Sequence, residues 1–101
     1  MSRRRCLKKH LVTITNKAEK DIRKIPKYLG LKLMKWQKTV ELMGLEYTQT
    51  IPSYNDEKLK GKRIKQRSIR LNKGYRAIYE ITKDTQEIRI IEIQEVNKHK
   101  Y

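Results

Sequence analysis

With 26 Lys and Arg against 11 Asp and Glu, the 101-residue chain carries a formal charge of +15 and a pI near 10.1. That length accommodates one domain and little more. Its apolar residues, 37% of the total, are spread along it, and no run approaches the roughly 20 that a membrane helix needs. So large an excess of one sign repels itself and attracts polyanions. Nucleic acid is the usual partner, because Lys and Arg release counterions from phosphates. An acidic protein fits equally, and an anionic membrane surface is a third choice, since nothing resembles a lipid anchor. Zero Phe and one Trp argue against a stacking platform for single strands, although six Tyr leave it open.

The first nine residues, with Arg3, Arg4, Arg5, Lys8 and Lys9, read as a basic, solvated tail rather than a dedicated phosphate arm. No apolar stretch of signal-peptide length follows the basic start, so the expectation is a soluble, cytoplasmic protein without a membrane association. The single cysteine, Cys6, has no internal disulfide partner, which agrees with a reducing compartment. One domain is expected over residues 10 to 101.

His10 to Ile14 alternates and is β-branched, which predicts a first strand. Asn16 followed by Glu19 has the spacing of a helix-capping pair. Ile22, Ile25, Leu29, Leu33, Trp36, Val40 and Met43 then recur at steps of three and four, which predicts an apolar helical face. Pro26 should break or kink it, giving a helical hairpin over residues 16 to 43, and Gly44 is a natural C-cap. Met34 and Trp36 are read as core residues.

Residues 45 to 57 have no period and include Pro52, Ser53, Asn55 and Asp56, so they are expected to form a loop. Strands are predicted at Gln66 to Leu71, Tyr75 to Ile81 and Glu87 to Glu95. The turn between the first two is Asn72-Lys73-Gly74, with Gly74 left-handed. The last strand carries Ile88, Ile90, Ile91 and Ile93, apolar on both faces, and belongs at the centre of the sheet. The fold class is therefore α+β: an N-terminal strand, a helical hairpin, then a three-stranded antiparallel meander.

The hairpin sets a face. With Asn72 to Gly74 as the loop, Leu71 faces Tyr75, Arg70 faces Arg76 and Ser68 faces Ile78. Ile69, Leu71, Tyr75, Ala77, Tyr79 and Ile81 then share a core face with Arg67 at its margin, while Gln66, Ser68, Arg70, Arg76, Ile78 and Glu80 share the other. Two arginines directly opposed are destabilising by tenths of a kcal/mol to about one. An anion between them reverses that, and a guanidinium is a rigid fork for phosphate oxygens. Arg70 and Arg76 are thus read as a phosphate clamp, the alternative being that each pairs with Glu80, Glu92 or Glu95. His99 can act as a proton donor or acceptor near neutral pH, provided the C-terminal segment folds back beside the arginines; otherwise it is a solvated residue. No metal site is expected, because His10, His99 and Cys6 are isolated from one another, and no phosphate-cradling glycine loop exists.

Several strings in this order of elements resemble the RelE/ParE toxin superfamily. They are Leu59-Lys60-Gly61, Arg67-Ser68-Ile69-Arg70-Leu71 and Gly74-Tyr75-Arg76-Ala77-Ile78-Tyr79. The ending Glu95-Val96-Asn97-Lys98-His99-Lys100-Tyr101 is similar to that of HigB-like and ParE-like members. The resemblance implies a toxin of a type II toxin–antitoxin module whose partner is a small antitoxin. In the RelE and HigB branches it further implies a cofactor-free ribonuclease that cuts messenger RNA on the ribosome, by attack of the ribose 2′-hydroxyl on the adjacent phosphorus. Arg76 matches the family's phosphate-stabilising arginine and Arg70 a basic strand residue. His99 or Tyr101 sits where the C-terminal catalytic residue would be. Lys60, Arg67, Lys73 and Lys98 are the accompanying RNA-binding cations. RelE places two lysines two apart on the strand where this chain has Ser68 and Arg70, and arginine is a poor base. The ParE branch, which inhibits DNA gyrase by binding, tolerates a missing base, and a non-catalytic RNA-binding protein is the third reading.

Overall fold

The stripe over residues 22 to 43 forms two helices, broken where Pro26 breaks it. In this computed structural model, which describes residues 8–98, α1 spans Asn16–Arg23 and α2 Lys27–Met43, with Pro26 as the N-cap of the second. The ring of Pro26 disfavours helical backbone at Ile25, so the chain turns there. Residues 1–7 of the basic tail, with Cys6, and the C-terminal His99 and Tyr101 lie outside the described residues.

The capping residue of α1 is Thr15 rather than Asn16: its Oγ1 accepts from Ala18 N at 3.0 Å and donates to Gln94 O at 3.0 Å. Two adjacent residues could each cap, and Thr15 wins because it alone also closes a bond to the sheet. Leu29, Leu33, Trp36 and Val40 are buried as the spacing predicted. Met34 is not a core residue; at 54% exposure it sits off the stripe, and Met43, the last member of the stripe, is exposed beyond the last packed turn.

The segment expected to be a loop is structured. Gly44 adopts φ 92°, a left-handed value that suits glycine, and starts α3, Leu45–Gln49. Leu45 and Thr48 bury one face of this single turn, and Thr48 Oγ1 donates to Gly44 O at 2.8 Å. A 3₁₀ turn at Pro52–Tyr54 follows, then a two-residue strand at Glu57–Lys58.

Strand β1 spans Lys9–Ile14 and β2 is Glu57–Lys58. They flank β3 (Gln66–Asn72), β4 (Tyr75–Asp84) and β5 (Ile88–Lys98) in the order β1-β5-β4-β3-β2. The meander is antiparallel, β1 joins it parallel to β5, and β5 is internal as its isoleucines required. Val96 is buried and β5 continues to Lys98, beyond the expected end at Glu95. Ile81, expected in the core, is 36% exposed, at the start of the outer part of β4 in which Ile81 to Asp84 are all exposed.

The β3–β4 turn also differs in detail. Asn72, not Leu71, pairs with Tyr75, and the ladder shifts between Arg70 and Asn72. Asn72 Oδ1 accepts from Gly74 N at 2.7 Å and Tyr75 N at 3.0 Å, so the asparagine side chain closes the turn and Gly74 has no positive φ.

The helices cover one face of the sheet. Trp36 and Tyr79 meet there, fully buried, with ring centroids 5.0 Å apart, and Ile69, Leu71, Ile91 and Ile93 surround them. Truncating so large a buried ring leaves a cavity. Trp36→Ala should therefore cost about 3–5 kcal/mol, read as a lower midpoint in denaturant unfolding.

At the far end of the sheet, Lys8 Nζ lies 2.6 Å from Asp84 Oδ1 and Arg89 Nε lies 3.2 Å from the same atom. Lys8, then Arg89, draw the Asp84 carboxyl from its ordinary 3.8 down to about 2. The stability this adds is present above the ordinary value and is lost as pH falls through about 2. An NMR titration should place the Asp84 midpoint near 2, and Lys8→Ala should move it upward.

Candidate nucleic-acid interface

The sheet face turned away from the helices forms an open cavity of about 570 Å³ between β3, β4, the end of β5 and the segment 55–63. Arg70 and Arg76 are cross-strand partners at its floor, as the register predicted. Lys60, Arg63 and Lys98 stand around them, and among the lining residues Glu57 is the single carboxylate. Leu59 and Ile78 supply apolar wall, and Asn55, Ser68 and Asn97 supply neutral polar groups.

Arg76 is held firmly. Its Nε donates to Ser68 Oγ at 2.9 Å and its Nη2 to Asn55 O at 3.2 Å, with Glu57 Oε1 3.6 Å from the same Nη2. Its side chain is 12% exposed, against 57% for Glu57. Ser68, placed by sequence on the polar face, is indeed there but buried beneath the guanidinium. The two Nη1 donors of Arg76 are left for a ligand. Asn55 reaches this position with a left-handed φ of 44°, which asparagine tolerates better than most residues.

Arg70 differs: it is exposed and has no ion pair among the described residues. The glutamates weighed as partners for the two arginines are engaged elsewhere. Glu80 and Glu92, opposed on β4 and β5, both accept from Gln94 Nε2. Glu95 accepts from Arg63, and that hydrogen bond holds its pKa below the usual carboxylate range. The partner of Arg76 is Glu57, which sequence reasoning missed because β2 is too short to show a period.

Two of the proposed RNA-binding cations are placed away from the cavity. Arg67 faces the core side, where its Nε lies 2.5 Å from Asp56 Oδ1, and Lys73 stands in the β3–β4 turn. Asp56 also accepts from the Tyr79 hydroxyl at 2.5 Å, and Gln49 Nε2 donates to that hydroxyl at 3.1 Å. Burial, then the bond to Asp56, push the Tyr79 pKa well above the usual tyrosine range. Among the described residues no group of three His, Cys, Asp or Glu is placed to hold a metal, and no helix is long and apolar enough to cross a membrane.

The sequence model of the ParE toxin of type II toxin–antitoxin systems, parDE, matches residues 12–98. The chain belongs to this family. As a ParE-family member it is a type II toxin of the RelE/ParE superfamily. No curated protein matches the sequence. The fold is shared with a YoeB/ParE toxin from Agrobacterium tumefaciens, 16% identical, with a TM-score of 0.68 over 89% of this chain and 99% of that one. It is shared with the YoeB dimer from Staphylococcus aureus, 21% identical, TM-score 0.64, over 92% and 99% of the two chains. The archaeal RelE–RelB complex from Pyrococcus horikoshii OT3 contains a chain 19% identical, TM-score 0.65, over 88% and 93%.

Because Arg70 is exposed and makes no ion pair among the described residues, Arg70→Gln should leave stability within about 0.5 kcal/mol. It should weaken binding to single-stranded RNA and lower the salt slope of log K by about 0.7, measured by fluorescence titration at several salt concentrations.

Proposed function

We propose that this ParE-family toxin is a ribosome-dependent messenger RNA endoribonuclease, acting in the cytoplasm without a metal. The supporting observation is the cavity in which five cationic side chains surround one carboxylate, Glu57, beside Arg76. Arg76 and Arg70 neutralise the non-bridging oxygens of the scissile phosphate, where charge grows in the transition state. Glu57 takes the proton of the ribose 2′-hydroxyl as the 2′-oxygen bonds to phosphorus. The bond to the 5′-oxygen breaks, His99 donates a proton to that oxygen, and the products are a cyclic phosphate and a 5′-hydroxyl. Tyr101 is the alternative C-terminal donor. Lys60 and Lys98 bind flanking phosphates. A cognate antitoxin with acidic residues covers the cationic face and silences the toxin; the archaeal RelE chain is likewise found in complex with a RelB partner.

The ParE description of the matched family favours a second reading, inhibition of DNA gyrase by binding. Inducible expression in a bacterial host, followed by primer extension on an abundant transcript, separates the two. The ribonuclease reading expects growth arrest with translation-dependent cuts inside reading frames. It also expects a loss of about 10²–10⁴-fold in cutting for Glu57→Gln and for His99→Gln in folded protein. Arrest with intact transcripts and a DNA-damage response would replace it with gyrase inhibition.

A further inference from the structure

The segment 55–57 presents its groups to opposite sides. Asn55 O and the Glu57 carboxylate face Arg76, whereas the Asp56 side chain points the other way and is 1% exposed. Adjacent side chains at the entry to a strand alternate in this manner, as Asp56 and Glu57 do, while the left-handed turn at Asn55 offers its carbonyl. What fixes the segment there is not β2 itself: its two residues make only the pairs Glu57↔Ser68 and Lys58↔Arg67. So short a pairing at a sheet edge is marginal by itself.

We infer that Asp56 is a positioning residue for the cleft: its buried carboxylate, gripping Arg67 of β3 and Tyr79 of β4, holds Asn55 and Glu57 against Arg76. The inference rests on the nuclease reading for its consequence in activity, though not for its geometry. Both carboxylate oxygens are used, Oδ1 by Arg67 Nε and Oδ2 by the Tyr79 hydroxyl, each at 2.5 Å. The Tyr79 hydroxyl accepts from Gln49 at 3.1 Å, which directs its own proton to Asp56. Tyr79 in turn is clamped against Trp36. The anchor is thus a buried charge with two donors, set against the buried Trp36–Tyr79 pair. A buried carboxylate deprived of one donor is strongly unfavourable. The segment therefore has one stable placement, and Arg76 is presented in one orientation. Asp56 does not touch the cleft and acts through its two neighbours.

Asp56→Asn and Tyr79→Phe each remove one half of the grip, the latter without disturbing ring packing. Arg89→Gln, in the ion-pair cluster at the far end of the sheet, serves as a control for lost stability alone. The measurements are kcat and KM for cutting messenger RNA on stalled ribosomes, together with the Arg76 Nε–H resonance assigned by comparison with Arg76→Lys. Both grip variants should lower kcat by about tenfold to 10²-fold with KM within about twofold. They should also shift the Arg76 resonance and speed its exchange with solvent, whereas Arg89→Gln should lower the melting temperature and move neither. An unchanged Arg76 resonance in Tyr79→Phe, or activity losses that only track the unfolded fraction, would overturn the inference. Should Asp56→Asn not fold, Tyr79→Phe decides. If the wild-type protein cuts no RNA, the nuclease reading falls and the resonance still decides the positioning role.

Discussion

The ring of Tyr79 lies against Trp36 while its hydroxyl bonds to Asp56, so a single side chain joins the apolar core to the polar segment that walls the cleft. The core is a close-packed solid in which side chains occupy single rotamers. A polar group fastened to it inherits that rigidity. Asn55 and Glu57, the residues on either side of Asp56, are located by the same packing that locates Trp36. The cationic cleft is thereby built out from the core rather than laid upon the surface.

Charge is distributed to match. The sheet face opposite the helices is cationic toward Arg70, Arg76, Lys60 and Lys98 and acidic toward Glu80 and Glu92, with the Arg63–Glu95 pair between them. Arg76 is anchored by neutral acceptors and by one half-exposed carboxylate, which leaves its charge available. Arg70, opposite it, has no such anchor. The repulsion between the two is tolerated because an arginine with fixed direction and one free to swing into solvent need not meet. An anion held between two such guanidinium groups would reverse the sign of their interaction.

Much of this architecture was legible in sequence because periodicity reports burial. The steps from Ile22 to Val40 gave the helices, Pro26 the break, and the isoleucines of β5 its central place. The Arg70–Arg76 pair emerged correctly despite a misread turn: the extra residue at Leu71 in the ladder makes up for the residue that the shorter turn removes. The same reading failed where contacts are distant in sequence. Asp56 meets partners 11 and 23 residues away, and no local pattern announces that. A single helical turn such as Leu45–Gln49 is too short for a period to show, and Thr15 and Asn16 are chemically equivalent as caps until one of them finds the sheet.

Strand order carries a consequence for how the molecule comes into being. β1 touches the sheet only through β5, the element made last among the five, and β5 also brings Asn97 and Lys98 to the cleft. Helices and the β3–β4 hairpin can form from near neighbours, but the first strand must wait for the last, a closure that spans most of the sequence. During synthesis the chain therefore holds an open sheet edge at β4 and an incomplete cationic face together. Folding and the assembly of the cleft end in the same event.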